Sequence, residues 1–408
     1  MSLNPNVVLR HEPQFYSTYA AFDSKRILTH FYDSERYYIL ECLAKKPSEL
    51  SALRAEGVTL GESELRAFIN QELISGFIVK LAEKESLAVH VPSRPERGAF
   101  DGFPTPFLSA PSTVDLFLTR ACNLRCCHCF ADGGRPLKEE LSHEEWLSLF
   151  DQLEEMGVLQ VRLTGGEPFM RRRILEILDY LRTKRFQKLL ITNGTMLNER
   201  TVDSLVKSEI TPTVSLDGAT AEVHDAFRGV PGAFRRTLRG IAFLRRSGMM
   251  YGLNTCVHSG NVGQIEDIVR IGAEMGATRI GLLGLQQAGR AVKTRAVSLS
   301  GVENLMLSLR FTRLARRYKE RIEVTQELFD ETPLDSVGTF TCSIDSDGAV
   351  YPTNIFLGNL RYRIGSVRGR PFREVWFSRD WIPFRKRPLV KSGSGPKELS
   401  WKVLSKAA

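Results

Sequence analysis

Residues 122–129 read Cys-Asn-Leu-Arg-Cys-Cys-His-Cys, and the interpretation of the whole chain begins at this cysteine loop. The loop starts three residues after a strand-like apolar run at 114–119. Its C-x3-C-x2-C spacing lets Cys122, Cys126 and Cys129 surround one iron–sulfur cluster, since such clusters are normally held by cysteine thiolates. A complete shell has four ligands, so three would leave one iron open to an outside molecule. The alternatives are a zinc knot or ordinary buried cysteines.

Strands and helices are predicted to alternate after this point. Strand-like runs occupy residues 114–119, 160–164, 188–192, 212–216, 251–257 and 279–285. Helical patterns occupy residues 142–156, 172–184, 199–207, 233–247, 262–275 and 300–319. Such alternation implies parallel strands joined by crossover helices. Six units are too few for an eight-fold barrel, so the sequence predicts an α/β fold with a partial (β/α)6 barrel over 114–325. In such barrels the loops after the strands carry the active site.

A second motif, Thr-Gly-Gly-Glu-Pro at 164–168, ends the second strand-like run. Its two glycines would allow a ligand to approach the backbone closely, and the carboxylate of Glu167 can accept a hydrogen bond from a charged amine. Alone, a glycine pair after a strand is usually a turn. Here it follows the cysteine loop by 36 residues, which makes the combination specific.

The two motifs together resemble those of radical S-adenosylmethionine (SAM) enzymes. The resemblance implies that Cys122, Cys126 and Cys129 bind one [4Fe–4S] cluster, whose open iron is chelated by the amino and carboxylate groups of SAM. Cys127 matches no ligand position, whereas His128 takes the family's aromatic position before the last cysteine. The GGEP motif is expected to contact the SAM amino group through Gly165, Gly166, Glu167 and Pro168.

Polar residues also end the next strand-like runs. Asn193 follows the third, Ser215 and Asp217 end the fourth, and Asn254 lies on the fifth. Any one of them alone would more often be a structural strand-end residue or a turn former. The resemblance implies that Ser215 and Asp217 bind the ribose of SAM, and that Arg228 pairs with its carboxylate. Asn193 and Asn254 are further candidates for cofactor binding.

The resemblance also implies the chemistry. A reduced cluster would donate an electron to SAM, and the 5′-deoxyadenosyl radical so formed would take a hydrogen atom from an unactivated carbon. An electron donor such as flavodoxin or ferredoxin would then be a partner. The cofactor supplies this chemistry, while the protein binds, orients and excludes water.

The segment that begins at Cys342, Cys-Ser-Ile-Asp-Ser-Asp-Gly-Ala-Val-Tyr-Pro-Thr, resembles the start of the SPASM extension of peptide-modifying radical SAM enzymes. In that extension a cysteine follows the Tyr-Pro pair, but here the residue is Thr353. Residues 326–390 are therefore expected to form a degenerate SPASM/twitch-like extension without an auxiliary cluster, in which Cys342 is a buried thiol. A flexible tail is expected at 391–408.

The first 88 residues combine short strand-like and helical patterns, which favours a small α+β winged-helix-like domain. By pattern and position it resembles the PqqD-like element that recognises leader peptides of ribosomally made natural products. The alternatives are a packing domain or a DNA reader, but the helical segment 62–72 is acidic, which argues against DNA. The Pro-rich stretch 89–113 is predicted to be a linker with few buried contacts.

The composition of the chain indicates its general class and the partners that can be excluded. The chain has 408 residues, 42% of them hydrophobic and 25% charged, which is typical of globular proteins. No apolar run approaches the roughly 20 residues that cross a bilayer, and the start lacks a secretory signal, so we expect a cytoplasmic protein without membrane contact. The net charge of +9 is spread along helical stretches, so no nucleic-acid partner is expected.

The sequence thus predicts a radical SAM enzyme that modifies a ribosomally synthesised precursor peptide, bound through its leader, by a crosslink or by epimerisation. One alternative is a radical SAM enzyme that acts on a small cofactor precursor such as a tetrapyrrole. An alternative of another class is a non-catalytic peptide-binding or regulatory protein, against which the complete cysteine loop argues.

Overall fold

The computed structural model describes residues 2–3, 7–11, 19–23, 28–32, 34–45, 48, 50–75, 78–79, 100–103, 107–293, 299–327 and 338–385. Within these residues the buried apolar side chains form a large cluster in the barrel and its C-terminal extension, and a separate one in the first 79 residues. No described helix is both long and apolar enough to cross a bilayer.

The N-terminal module consists of short strands around three helices. Its elements are β1 (Ser2–Leu3), β2 (Val7–His11), β3 (Tyr19–Asp23), β4 (Leu28–Tyr32), α1 (Ser34–Lys45), α2 (Leu50–Ala55), α3 (Glu62–Ser75) and β5 (Ile78–Val79). Strands β2, β3 and β4 form an antiparallel sheet in that order, and β1 pairs antiparallel with β5. The helices bury Leu40, Leu53 and Phe68 in the module's own core. The strand-like and helical patterns of the sequence are confirmed here.

The barrel alternates strands and helices from residue 113 onward. Its elements are β6 (Thr113–Phe117), α4 (His143–Glu155), β7 (Gln160–Thr164), α5 (Ile174–Leu181), β8 (Gln187–Thr192), α6 (Glu199–Lys207), β9 (Thr211–Ser215), α7 (Ala221–Arg228), α8 (Ala233–Ser247), β10 (Gly252–Cys256), α9 (Ile265–Met275), β11 (Arg279–Leu283), α10 (Gly301–Tyr318) and β12 (Glu323–Glu327). All neighbouring pairs from β6 to β12 are parallel. The carboxyl ends of the strands therefore meet at one edge, as the sequence predicts.

The helices form because each has a defined start and one apolar face. Ser142 caps α4, accepting from the backbone N–H of Glu145 while that glutamate accepts from the backbone of Ser142. Helix α4 then buries Trp146, Phe150 and Leu153 against the sheet. This spacing of three and four residues is the amphipathic pattern that fixes which face of the helix meets the core.

Two barrel elements are missing from the sequence prediction. Strand β12 reads Glu-Val-Thr-Gln-Glu and follows the six predicted strands as a seventh. It lies at the outer edge of the ten-stranded sheet, and Val324 alone among its described side chains is buried, so its apolar signal is weak. Helix α7 has only eight residues and follows β9 closely. The sequence prediction contains only the longer helix α8 between β9 and β10.

The C-terminal extension continues the barrel sheet on the far side of β6. It contains β13 (Thr341–Ile344), β14 (Ala349–Tyr351), β15 (Gly365–Ser366) and α11 (Phe372–Trp376). Strand β13 pairs parallel with β6 and antiparallel with β14, through a turn in which Gly348 has a positive φ of 85°.

The end of the predicted linker packs more closely than its composition suggests. Phe107 and Ala110 are fully buried. The ring of Phe107 lies 6.2 Å from that of Trp376, whose Nε1 donates to the carbonyl of Leu108 at 2.8 Å. The expectation of few buried contacts is thus wrong for residues 107–113, because their aromatic and small side chains fill the space beside α11. Most of residues 89–106 and the predicted tail 391–408 lie outside the described residues.

Candidate active site

The cysteine loop lies directly after β6, at the carboxyl edge of the barrel. Its base is closed by backbone pairing: Cys122 N–H donates to the carbonyl of Gly134 at 3.1 Å, and Gly134 N–H donates to that of Arg120 at 2.8 Å. Within the loop, the Sγ of Cys122 accepts from Leu124 N–H at 3.4 Å. The Sγ of Cys129 accepts from Gly133 N–H at 3.3 Å. Backbone donors therefore already face two of the three predicted ligand sulfurs.

Burial sets the protonation of these thiols. It raises the pKa of Cys122 to about 12, and it also raises the pKa of Cys126 although the Arg228 guanidinium opposes this. The thiols of Cys122 and Cys126 are therefore neutral in the metal-free chain. Because thiolates are the metal-binding form, cluster binding would release their protons.

The donor set fits an iron–sulfur cluster. Cys122, Cys126 and Cys129 are all free thiols, and Cys126 packs with Leu124 and Ala233 in a small apolar cluster. The described residues contain no group of three His, Cys, Asp or Glu side chains set around one point as for a single metal ion. Thiolates that hold a four-iron cube bind separate irons at its corners, and cysteine thiolates are the ligands such clusters normally take.

The two glycines of the GGEP motif pack against the backbone that leads into the cysteine loop. A Cβ on Gly165, whose φ is +146°, would lie 2.3 Å from the carbonyl oxygen of Thr119. A Cβ on Gly166 would lie 2.3 Å from that of Ala121. The backbone N–H of Gly166 donates to Thr119, and that of Glu167 donates to Ala121, each at 2.8 Å. The glycines thus allow a close backbone approach, but the partner in this structure is the chain itself.

The carboxylate of Glu167 is fully buried and braces the end of β8. Its Oε1 accepts from the Thr192 hydroxyl at 2.8 Å and its Oε2 from Asn193 N–H at 2.8 Å. Oε1 also accepts from Phe169 N–H at 3.3 Å, in the 3-10 turn that begins at the buried Pro168. Burial raises the pKa of Glu167 to about 7, although these donors oppose the shift.

Asn193 connects β8 with the cysteine loop. Its Nδ2 donates to the Oδ1 of Asn123, the residue after the first cysteine, at 2.9 Å. Its own Oδ1 accepts from the N–H and the hydroxyl of Thr195 at 2.9 and 2.6 Å. The side chain predicted to bind the cofactor therefore also fixes the loop that carries the thiols.

Asp217 and Arg228 form a buried ion pair beside Cys126. The Oδ1 of Asp217 also accepts from Cys256 N–H at 2.8 Å, and Nη1 of Arg228 lies 3.8 Å from the Sγ of Cys126. Burial opposes the charge on both partners, yet Arg228 keeps the pKa of Asp217 low, and Asp217 with Cys126 keeps that of Arg228 high. Sequence reasoning assigned the two residues to different groups of SAM, whereas the structure pairs them with each other.

Ser215 and Asn254 face each other in the register of β9 and β10. Both are half-buried, and neither side chain bonds to another described residue. Gly281 on β11 makes room for Asn254, because a Cβ there would lie 2.8 Å from its Oδ1. These two polar side chains are thus available to a ligand at the carboxyl edge.

His128 belongs to a column of stacked rings that the sequence analysis did not anticipate. Its ring lies 3.9 Å from that of Phe227, with an angle of 5° between the planes. Phe227 stacks equally closely on His258 at its other face. Burial lowers the pKa of His128 to about 3, so its ring is neutral, and its buried Nδ1 has no partner among the described residues.

Arg290 is a second residue that sequence reasoning missed. Its Nε donates to the carbonyl of Cys126 at 2.9 Å, and its Nη1 donates to Asp132 and to the carbonyl of Gly133, each at 2.8 Å. Its backbone N–H donates to the carbonyl of Cys129 at 3.0 Å. The sequence feature that could have indicated this contact is the preceding Gly289, which has a positive φ and lies against the loop backbone.

Comparison with known proteins agrees with this geometry. Residues 116–271 match the family model described as the radical SAM superfamily. The AdoMet-dependent heme synthase of Methanosarcina barkeri is 32% identical over 292 residues, which cover 66% of this chain and 82% of that protein. The mycofactocin maturase MftC of Mycobacterium ulcerans is 31% identical over 283 residues, which cover 66% of this chain and 75% of that one.

Among solved structures, the fold resembles that of SuiB from Streptococcus suis. The structure of SuiB bound to its precursor peptide SuiA superposes with a TM-score of 0.71 at 16% identity, covering 94% of this chain and 90% of SuiB. The structure of SuiB bound to S-adenosylmethionine gives a TM-score of 0.72.

This chain belongs to the radical SAM superfamily. Its members use a [4Fe–4S] cluster and SAM, and these are its cofactors. The predicted α/β fold is confirmed as well.

Proposed function

We propose that this enzyme uses a SAM-derived radical to modify a ribosomally synthesised precursor peptide. The observation that carries the proposal is the extent of the likeness to SuiB, a protein solved with a precursor peptide bound. Since 94% of the 408 residues are covered, only about 24 residues remain unmatched, so the match includes most of the N-terminal module. The matches to the heme synthase and to MftC cover 66% of the chain.

The N-terminal module offers the surface for a peptide. In the three-stranded sheet β2-β3-β4, the outer edges of β2 and β4 pair with no other described strand. An extended peptide can add to such an edge by main-chain hydrogen bonds, largely independent of its sequence. We assign the leader of the precursor to this PqqD-like module and its core segment to the carboxyl edge of the barrel.

The barrel residues have distinct proposed roles. Cys122, Cys126 and Cys129 hold the cluster, which with SAM supplies the 5′-deoxyadenosyl radical. The backbone of Gly165 and Gly166 and the ring of His128 are assigned to SAM. Glu167 and Pro168 complete the motif assigned to the SAM amino group, Ser215 and Asp217 are assigned to its ribose, and Arg228 to its carboxylate. Asn193 and Asn254 are assigned to SAM as further polar contacts.

A single cluster is proposed, held at the cysteine loop. The remaining cysteines apart from Cys127 lie far apart in the fold: Cys42 on α1, Cys256 on β10 and Cys342 on β13. Cys342 is buried in the barrel core, and four strands separate β10 from β13 in the sheet. Without a second cluster to accept an electron, a redox-neutral change such as epimerisation is favoured over a net oxidation, which would need another electron acceptor.

A small tetrapyrrole is the second candidate substrate. It is favoured by the 32% identity to a heme synthase over 82% of that protein's length. The two candidates differ in what they require of the N-terminal module, since a tetrapyrrole has no leader to bind.

The test is a comparison of substrates with the reconstituted, reduced enzyme and SAM. The precursor peptide encoded beside the gene is tested with and without its leader, in parallel with iron coproporphyrin. Leader-dependent conversion of the peptide, detected by mass spectrometry and chiral amino-acid analysis, is expected. Conversion of the porphyrin, with no change in the peptide, would establish the second candidate instead.

A further inference from the structure

Arg120 lies two residues before Cys122, and its side chain spans from the segment after Cys129 to the C-terminal extension. Its Nε donates to the Oδ1 of Asp345 at 2.7 Å, and its Nη2 donates to the Oδ2 at 2.5 Å. Its Nη1 donates to the carbonyl of Ala131, two residues beyond Cys129. One guanidinium thus binds the extension through the edge formed by Nε and Nη2, and the end of the loop through Nη1.

The pair is almost completely excluded from water. Arg120 is 7% exposed and Asp345 is 2% exposed. Asp345 lies just after β13, where its backbone N–H donates to the carbonyl of Ala349 and holds the β13–β14 turn. A bidentate arginine–carboxylate pair fixes both distance and plane, and removing one partner of a buried pair leaves an uncompensated charge.

We propose that Asp345 is a positioning residue for the iron–sulfur cluster, acting through Arg120 on the segment that carries Cys129. The extension has no cysteine after Tyr351-Pro352 and lacks the thiolates for a cluster of its own. Its hairpin instead serves the cluster of the barrel, by holding the far end of the cysteine loop at a fixed distance from β6. Residues that orient metal ligands from outside commonly change metal affinity or activity by about 10- to 100-fold when mutated.

The test uses the full-length chain reconstituted anaerobically with iron and sulfide. In Asp345→Asn, we expect iron to pass to a chromogenic chelator about 10- to 100-fold faster than in the wild type. The paramagnetic resonance spectrum of the reduced cluster should also broaden. Neither readout needs a substrate, so this test is independent of the proposed peptide activity.

A matched control separates positioning from general stability. Asp115 on β6 is likewise buried and accepts from Arg162 Nε at 2.5 Å, and its Oδ2 lies 3.4 Å from donors of Ser343 and Asn354 in the extension. Asp115 thus also joins the barrel to the extension, but no described bond joins it to the cysteine loop. Asp115→Asn should lower the melting temperature while iron release stays at the wild-type rate.

A second pair of variants tests whether Asp345 acts through Arg120. Arg120→Lys keeps the charge but cannot span both partners, so it should also release iron faster, even if Asp345→Asn fails to fold. Asp345→Asn combined with Arg120→Met should release iron no faster than either change alone, because coupled residues are not additive. The proposal would be overturned if Arg120→Lys released iron at the wild-type rate, or if Asp345→Asn and Asp115→Asn released it at equal rates. Absence of any cluster in the wild type would instead refute the cluster assignment itself.

Discussion

Glu167 provides a test of how the GGEP motif works, because its carboxylate is fully buried among donors from β8. We expect Glu167→Gln to change the pH dependence of stability more than stability itself. The glutamine oxygen can accept from Asn193 N–H, and the Thr192 hydroxyl can turn to accept from the new amide. The main loss is the 3.3 Å contact to Phe169 N–H, which is worth about 1 kcal/mol.

The pH dependence follows from the raised pKa of the wild-type carboxyl group. Its pKa rises from an ordinary 4.5 to about 7 on folding. Below pH 4.5 both the folded and the unfolded chain hold the proton, so the full stabilisation is present. As the pH rises above 4.5, the unfolded chain loses its proton first, so the free energy of unfolding falls steadily. The fall ends near pH 7, where the folded chain also ionises. At about 1.4 kcal/mol for each pKa unit, the total is about 3 kcal/mol.

The assay is urea unfolding followed by tryptophan fluorescence, from about pH 5.5 to about pH 8, for the wild type and Glu167→Gln. The free energy of unfolding of the wild type should fall by about 2 kcal/mol relative to the variant over this range. Glu199→Gln, at an exposed position, serves as the control for the loss of one carboxylate. A wild-type advantage that is constant or that grows with pH would refute this account of Glu167.

Three further outcomes are expected. Cys126→Ala should lose the cluster, with little iron and no charge-transfer absorbance, whereas Cys127→Ala should keep it; the reverse would refute the ligand assignment. Arg290→Met removes three donors to the cysteine loop, so it should lower iron retention about tenfold, and unchanged retention would mean that this clamp is dispensable. Deletion of residues 1–88 should abolish peptide modification but leave slow formation of 5′-deoxyadenosine without peptide; full-rate modification by the truncated enzyme would remove the recognition role.

The barrel could be predicted from sequence because its buried strands and amphipathic helices carry strong local patterns. Strand β12 was missed because an edge strand with one buried side chain lacks such a pattern. The stretch 89–113 is predicted to be a linker because its proline content indicates local backbone preference. Proline content does not indicate the tertiary contacts that bury Phe107.

Some residues of the candidate site could be predicted from the sequence and others could not, for a similar reason. The three cysteines were found because their spacing alone defines them, whereas their supports come from distant parts of the chain. Arg290 bonds to the loop across 157 or more residues, with Gly289 as its local signal, and Asp345 bonds to Arg120 across 225 residues with no local signal. The motif points to Glu167, but the hydrogen bonds of Glu167 to β8 depend on strand order, which a motif does not encode.

The most direct test of the central claim is the yield of 5′-deoxyadenosine from the full-length, reconstituted and reduced enzyme with SAM and the precursor peptide. The wild type should form 5′-deoxyadenosine and modified peptide together, with about 4 iron per chain. The variant with alanine at positions 122, 126 and 129 should form neither. A wild-type enzyme that holds its cluster but leaves SAM intact, or a triple variant that still cleaves it, would contradict the account.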